Sequence, residues 1–238
     1  MKNYVSTALL ATAALLAVIY LTPDPAPFSV DNPGPQGASK VAQICQLAPV
    51  ENATVIIVAP GAVPPTPRPG ITLVLLGPDN ATLAAMGLDV RVLEGEVRDE
   101  ALNALNPNYP LALTGNVSIA LYRPQPLSLG PRARVVAATS EFSLWKGAPG
   151  PYTVAAAQAV RGAEVLVVSS PYVFANALLD MAQNAQWLKS LCGGRPTAYL
   201  GGVVDARAAL WRAVRQAPQA IVLIPLAALL ISVWPRRT

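Results

Sequence analysis

Three short stretches of nearly uninterrupted apolar, largely β-branched residues constrain this chain more than any other feature. They are residues 53–59 (ATVIIVA), 71–76 (ITLVLL) and 164–168 (EVLVV). A strand with one wet face alternates between polar and apolar positions. A strand that reads apolar throughout is buried on both faces, as the strands of a parallel sheet are. Between the first two stretches lies GAVPPTPRPG, residues 61–70, whose prolines exclude a helix. The chain therefore carries buried strands joined by a segment that cannot supply the usual crossover helix.

Other elements follow from local pattern. Residues 38–47 read as a short helix stopped before Pro49. Asp79 and Asn80 are placed to cap a helix through Met86, with Gly87 just past its end. Residues 88–93, 117–122, 133–139 and 153–160 read as strands, and residues 98–105 as a helix ended by Asn106-Pro107. Helical spacing at Phe174, Ala177, Leu178, Met181, Ala185 and Leu188 predicts one helix over 173–191, stopped by Gly193-Gly194. Strands alternating with helices predict an α/β fold, a three-layer sheet flanked by helices with some antiparallel strands.

Both ends of the chain are apolar. Residues 5–21 and 217–234 carry no charge, and both are near the minimum length for a transmembrane helix. The expected organisation is an N-terminal anchor over 1–22, with a cleaved signal peptide as the alternative. A Pro-rich stalk over 23–36 follows, then an α/β domain over 37–203. A pre-membrane helix over 204–216 and a second span over 217–235 close it. Asn52, Asn80 and Asn116 each open an N-glycosylation triplet between the two runs. They argue for a cell-membrane protein whose main domain is extracellular.

Composition excludes several chemistries. The chain of 238 residues has no His and two Cys. No Ser-His-Asp triad, Cys-His pair or His-ligated zinc can be built from it, and no cofactor is expected. Net charge is +4, from 17 Lys and Arg against 13 Asp and Glu. Three of those basic residues, Lys2, Arg236 and Arg237, lie at the termini, so the middle is nearly neutral and gives no case for nucleic-acid binding.

Few residues are candidates for a site. Ser169, Ser170 and Asn176 follow the strongest strand at the predicted start of a helix, where ligands bind in many α/β proteins. Asn184 lies two turns further along the same face. As candidate ligand-binding residues these compete with a simpler role as caps and ties. Asp79, Glu94, Glu96, Asp99 and Glu100 are the carboxylates from which a paired acid and base or a cation site would have to be drawn. No metal site is expected. Cys45 and Cys192 would form a disulfide in an oxidising compartment or remain two buried thiols otherwise.

The order of these motifs resembles family 4350 of the domains of unknown function in its archaeal form. The resemblance is carried by residues 28–40 (FSVDNPGPQGASK), 80–90 (NATLAAMGLDV), 95–99 (GEVRD) and, best, 162–176 (GAEVLVVSSPYVFAN) with Gln183-Asn184 downstream. It implies a membrane-tethered relative of the class I glutamine amidotransferase-like fold, also comparable to flavodoxin-like sheets. Gln183 stands where that family commonly has an acid, and the proline-rich loop replaces a helix and a Gly-Gly turn. The amidotransferase Cys-His-Glu set is absent. The resemblance further implies partners among membrane or envelope proteins, such as a MoxR-type ATPase system, in addition to the lipid bilayer. The leading expectation is a non-catalytic binding or scaffold module. The alternatives are a carboxylate-dependent, metal-assisted hydrolase and an envelope ligand sensor acting through a membrane partner.

Overall fold

The computed structural model describes residues 2–201, 213–215, 219 and 223. The chain divides into two compact units, Met1–Ala26 with Val204–Thr238, and Pro27–Val203. In the first, α1 (Lys2–Leu21) is followed by a turn in which Thr22 N–H donates to Val18 O at 3.0 Å. Among the described residues no helix is long and apolar enough to cross a membrane. The two transmembrane helices expected from the terminal apolar runs are therefore not supported. Apart from residues 213–215, 219 and 223, the expected helix over 204–216 and span over 217–235 lie outside the described residues.

The second unit is built from strands. In chain order it contains α2 (Ser39–Ile44), β1 (Val55–Val58), β2 (Thr72–Leu76), α3 (Asn80–Ala85), β3 (Val90–Val92) and β4 (Arg98–Asp99). There follow β5 (Leu111–Thr114), β6 (Val117–Ala120), β7 (Leu127–Leu129), β8 (Arg134–Thr139), β9 (Ser143–Trp145) and β10 (Ala148–Pro149). The unit ends with β11 (Thr153–Val160), β12 (Ala163–Val168), α4 (Asn176–Leu179), α5 (Asn184–Cys192) and β13 (Thr197–Leu200).

Eight strands form one curled mixed sheet in the order β13-β1-β2-β12-β11-β8-β5-β6. The first four are parallel neighbours, and from β12 onward every pairing is antiparallel. The three apolar stretches are β1, β2 and β12, side by side in register: Val55 opposite Thr72, and Thr72 opposite Glu164. Their side chains point alternately to two cores. Ile57, Val74 and Leu166 meet α2, α4 and α5 on one face. Ile56, Leu73 and Val165 meet Leu83 of α3 and the β3–β7 ribbon on the other.

This is not the expected three-layer α/β sheet flanked by helices. The helices of this unit are four to nine residues long, and α3 is the only one in the second core. The prolines of residues 60–69 explain part of the difference. The β1-to-β2 crossover runs over the second face as a loop, because these residues cannot form an i to i−4 hydrogen-bond ladder. Two expected helices also fail. Residues 98–105 begin with β4 and then turn tightly, because the Asp99 carboxylate accepts the Ala101 and Leu102 N–H groups at 2.9 and 2.7 Å. The helix expected over 173–191 is broken into α4 and α5 at Ala182, which has φ 48°.

Candidate functional site

Each of the polar residues that follow the strongest strand is buried, and most are fully occupied in holding the fold. Asn176 opens α4 and is 4% exposed. Its Oδ1 accepts the Lys40 N–H at 2.9 Å, and its Nδ2 donates to Asn32 O, Gly34 O and Ser39 Oγ at 3.0, 2.8 and 3.2 Å. It thereby fastens the 28–40 segment, which the sequence sets far from it. Lys40 is further paired with Asp180. Ser170 Oγ donates to Tyr122 O at 2.9 Å and accepts the Tyr122 N–H at 3.2 Å. Ser169 Oγ is different, being buried without a hydrogen bond.

Asn184 is fully buried and serves the sheet margin. Its Oδ1 accepts Ala120 N–H at 2.8 Å, while Nδ2 donates to Ala120 O and Leu178 O at 2.9 Å each and to Val173 O at 3.3 Å. Gln183 acts beside it. Its N–H donates to Ser118 O at 3.0 Å, and its Oε1 accepts Ser118 N–H at 2.8 Å. Together they satisfy the outer backbone groups of β6, the last strand of the sheet. Unpaired edge groups are a template for association, and these two residues remove it.

The carboxylates are dispersed. Asp99 is fully buried, and Ser140 Oγ and Ser143 Oγ donate to it in addition to the two amides. Burial pushes its carboxyl up, but the Leu102 amide, Ser140, the Ala101 amide and Ser143 outweigh that and hold it below the usual range. Glu96 lies 3.6 Å from Arg123, both half-exposed. Asp79 caps α3, accepting Thr82 N–H at 2.7 Å, and that backbone hydrogen bond lowers its pKa. Among the described residues no group of three His, Cys, Asp or Glu could hold a metal ion.

The proline-rich loop leaves a cleft of ≈ 600 Å³ above the second face of β1 and β2. Pro60, Pro64, Pro65 and Pro67 form its roof, and Ala85 and Met86 at the end of α3 form a wall. Asp79, just past the carboxyl end of β2, lines one end. Arg161, in the turn between β11 and β12, also lines it. The register places Arg161 at the amino end of β2, because Glu164 lies opposite Thr72. Arg161 and Gly162 have φ of 49° and 78°, the left-handed pair of a two-residue type I′ hairpin turn. A side chain on Gly162 would press on Pro69 at 3.1 Å, so this turn also seats the end of the loop. Of the five carboxylates singled out in the sequence, Asp79 alone lines the cleft, and Ser169, Ser170, Asn176 and Asn184 do not. Arg161 escaped sequence reading, although an Arg-Gly pair between two strand patterns is a hairpin signal that could have exposed it.

Cys45, just after α2, and Cys192, the last residue of α5, are disulfide-bonded with Cα atoms 5.7 Å apart. Gln46 and Ala48 continue from Cys45 along β13. Thr197 N–H donates to Gln46 O, and Ala48 N–H donates to Thr197 O, both at 2.9 Å. Asn52, Asn80 and Asn116 are all exposed. The Asn80 side chain is nevertheless engaged, accepting Val92 N–H at 2.8 Å and donating to Val92 O at 3.0 Å. On the first face, Tyr199 has a buried hydroxyl without a partner, and burial pushes its phenol well above the usual value.

The chain belongs to the family described as domain of unknown function DUF4350, whose model matches residues 40–192. No curated protein matches it. Among solved structures it is similar to the mmIFT52 N-terminal domain, at 16% identity and a TM-score of 0.40. That match covers 50% of this chain and 65% of the other, so the chain spans less than two thirds of that structure's length. The likeness is too loose to define a shared fold.

Proposed function

We propose that this domain is a non-catalytic binding module whose ligand site is the cleft beneath the proline-rich loop. One observation carries the reading. The polar side chains that chemistry would need are committed to the fold, whereas the cleft is lined mainly by proline, alanine, valine, leucine and methionine. Its volume lies within the ~300–1,000 Å³ of small-ligand sites, and it borders the carboxyl ends of parallel strands, where such sites concentrate in open sheets.

A thermal-shift screen of a small-molecule fragment panel against the full chain and its Met86→Trp variant tests this. Some fragments should raise Tm in the wild type but not in the variant, whose indole fills the cleft. The reading fails if no fragment distinguishes the two proteins. It also fails if a panel of hydrolase substrates is turned over and Asp79→Asn abolishes the turnover.

We also propose that the module works outside the cytoplasm, in contact with an envelope protein. The Cys45–Cys192 bond supports this, since disulfides persist in oxidising compartments. The exposed Asn52 and Asn116 add weight as modification sites that would leave the fold intact. Protein taken from cells with its thiols blocked should show no free cysteine. Two blocked thiols would place the domain in a reducing compartment.

A further inference from the structure

The charge distribution along the cleft selects the chemistry of its ligand, an inference that rests on the binding reading above. Arg161 is exposed, and among the described residues it makes no ion pair or hydrogen bond. Arg91 and Arg98 are likewise exposed and unpaired, but of these three arginines Arg161 alone lines the cleft. Arg161 also occupies a left-handed backbone position that Asn, Asp or Gly adopts at lower cost. Turn formation therefore gives no reason for arginine here, and a residue held in such a conformation invites a functional explanation.

At the other end of β2 stands Asp79, held as a carboxylate by the Thr82 N–H and the Thr82 side chain. Between the two charges the walls are proline rings, Ala62, Met86 and the side chains of Val58 and Leu75. Such a cleft favours an apolar body. It attracts an anionic group at the Arg161 end and repels a second one at the Asp79 end. We propose that the ligand is an apolar monocarboxylate, its carboxylate on the Arg161 guanidinium and its apolar body under the proline-rich loop. Arginine and carboxylate pair through two parallel N–H···O bonds, stronger than neutral hydrogen bonds.

Titration calorimetry of the full chain with dodecanoate, below its aggregation limit, tests the proposal. Dodecanoate should bind and dodecanedioate more weakly, while any binding of dodecyltrimethylammonium, whose headgroup suits the Asp79 end, should not depend on Arg161. Arg161→Asn should weaken dodecanoate binding by about 10-fold or more while leaving Tm unchanged or higher, because asparagine suits the turn. Met86→Trp should abolish it. These variants also separate the cleft from the apolar chain ends, which neither substitution alters. The proposal is overturned if Arg161→Asn binds dodecanoate as the wild type does. If fragments of another class bind in a Met86-dependent way and dodecanoate does not, the ligand class is wrong and the cleft stands. If Met86→Trp affects no ligand, both the class and the cleft are wrong.

Discussion

The parallel and antiparallel halves of the sheet solve the same burial problem differently. In the parallel half, β1 is buried at every position, β2 at all but Thr72 and β12 at all but Glu164. Large aliphatic side chains fill both cores. In the antiparallel half, the buried positions of β11 are mostly alanine, and β5 and β8 carry Leu113 and Val135, which are 67% and 54% exposed. The margins differ as well. The parallel half ends at β13 beside a disulfide-fixed segment, and the antiparallel half ends at β6 under two amide side chains. Apolar area and a covalent link stabilise one half, and specific polar contacts hold the other.

The largest effect is expected at the covalent link. Replacing both cysteines by alanine should lower unfolding free energy by about 4–5 kcal/mol, because the bridge joins residues 147 positions apart. Denaturant titration of the variant against the oxidised protein measures it, and a loss below ~1 kcal/mol would mean that the parallel half does not depend on its link. Next comes a core position in that half. Leu73→Ala removes a fully buried side chain and should cost about 3 kcal/mol in the same assay.

The amide clamp ranks third. Asn184→Ala takes the side-chain partner from Ala120 N–H, Ala120 O and Val173 O, while Leu178 O keeps the Met181 N–H, and should cost about 2–3 kcal/mol. It should also open the β6 edge, so size-exclusion chromatography should show self-association that Asn176→Ala does not produce. Asp99 gives a smaller, pH-dependent effect. Its folded pKa lies below the unfolded carboxylate value, so its stabilisation is present above the unfolded value of ~3.9 and is lost as pH falls through the folded one. Tm measured from pH 6 to pH 2 should fall less steeply in Asp99→Asn than in the wild type. Smallest is Leu113→Ala, which should stay within ~0.5 kcal/mol because the side chain is exposed. A large loss there would show that something covers the antiparallel half.

Legibility in the sequence follows the same division. A strand buried on both faces has no choice but to be apolar throughout, so β1, β2 and β12 announce themselves locally. The α3 cap is likewise a matter of a few adjacent residues, and Asp79 and Gly87 mark both ends of it. Strands β5, β9 and β13 gave no such signal, since each is three or four residues long and takes its conformation from its neighbours. The helix expected over 173–191 had the right apolar spacing. Its interruption comes from Asn184 reaching a strand 64 positions away, which no local window contains.

The sequence by itself determined that imidazole chemistry is absent, that three strands are doubly buried and that residues 60–69 cannot be a helix. These are local facts about side chains and backbone torsions. Tertiary structure alone decided that the proline loop leaves a cleft, that Asp79 and Arg161 line it near opposite ends of one strand, and that the prominent asparagines are ties. It also decided which strands pair antiparallel and that the helices are too short to cover the sheet as full layers. Each of these depends on register between segments far apart in the chain, and register is fixed only when both faces of the sheet are packed together.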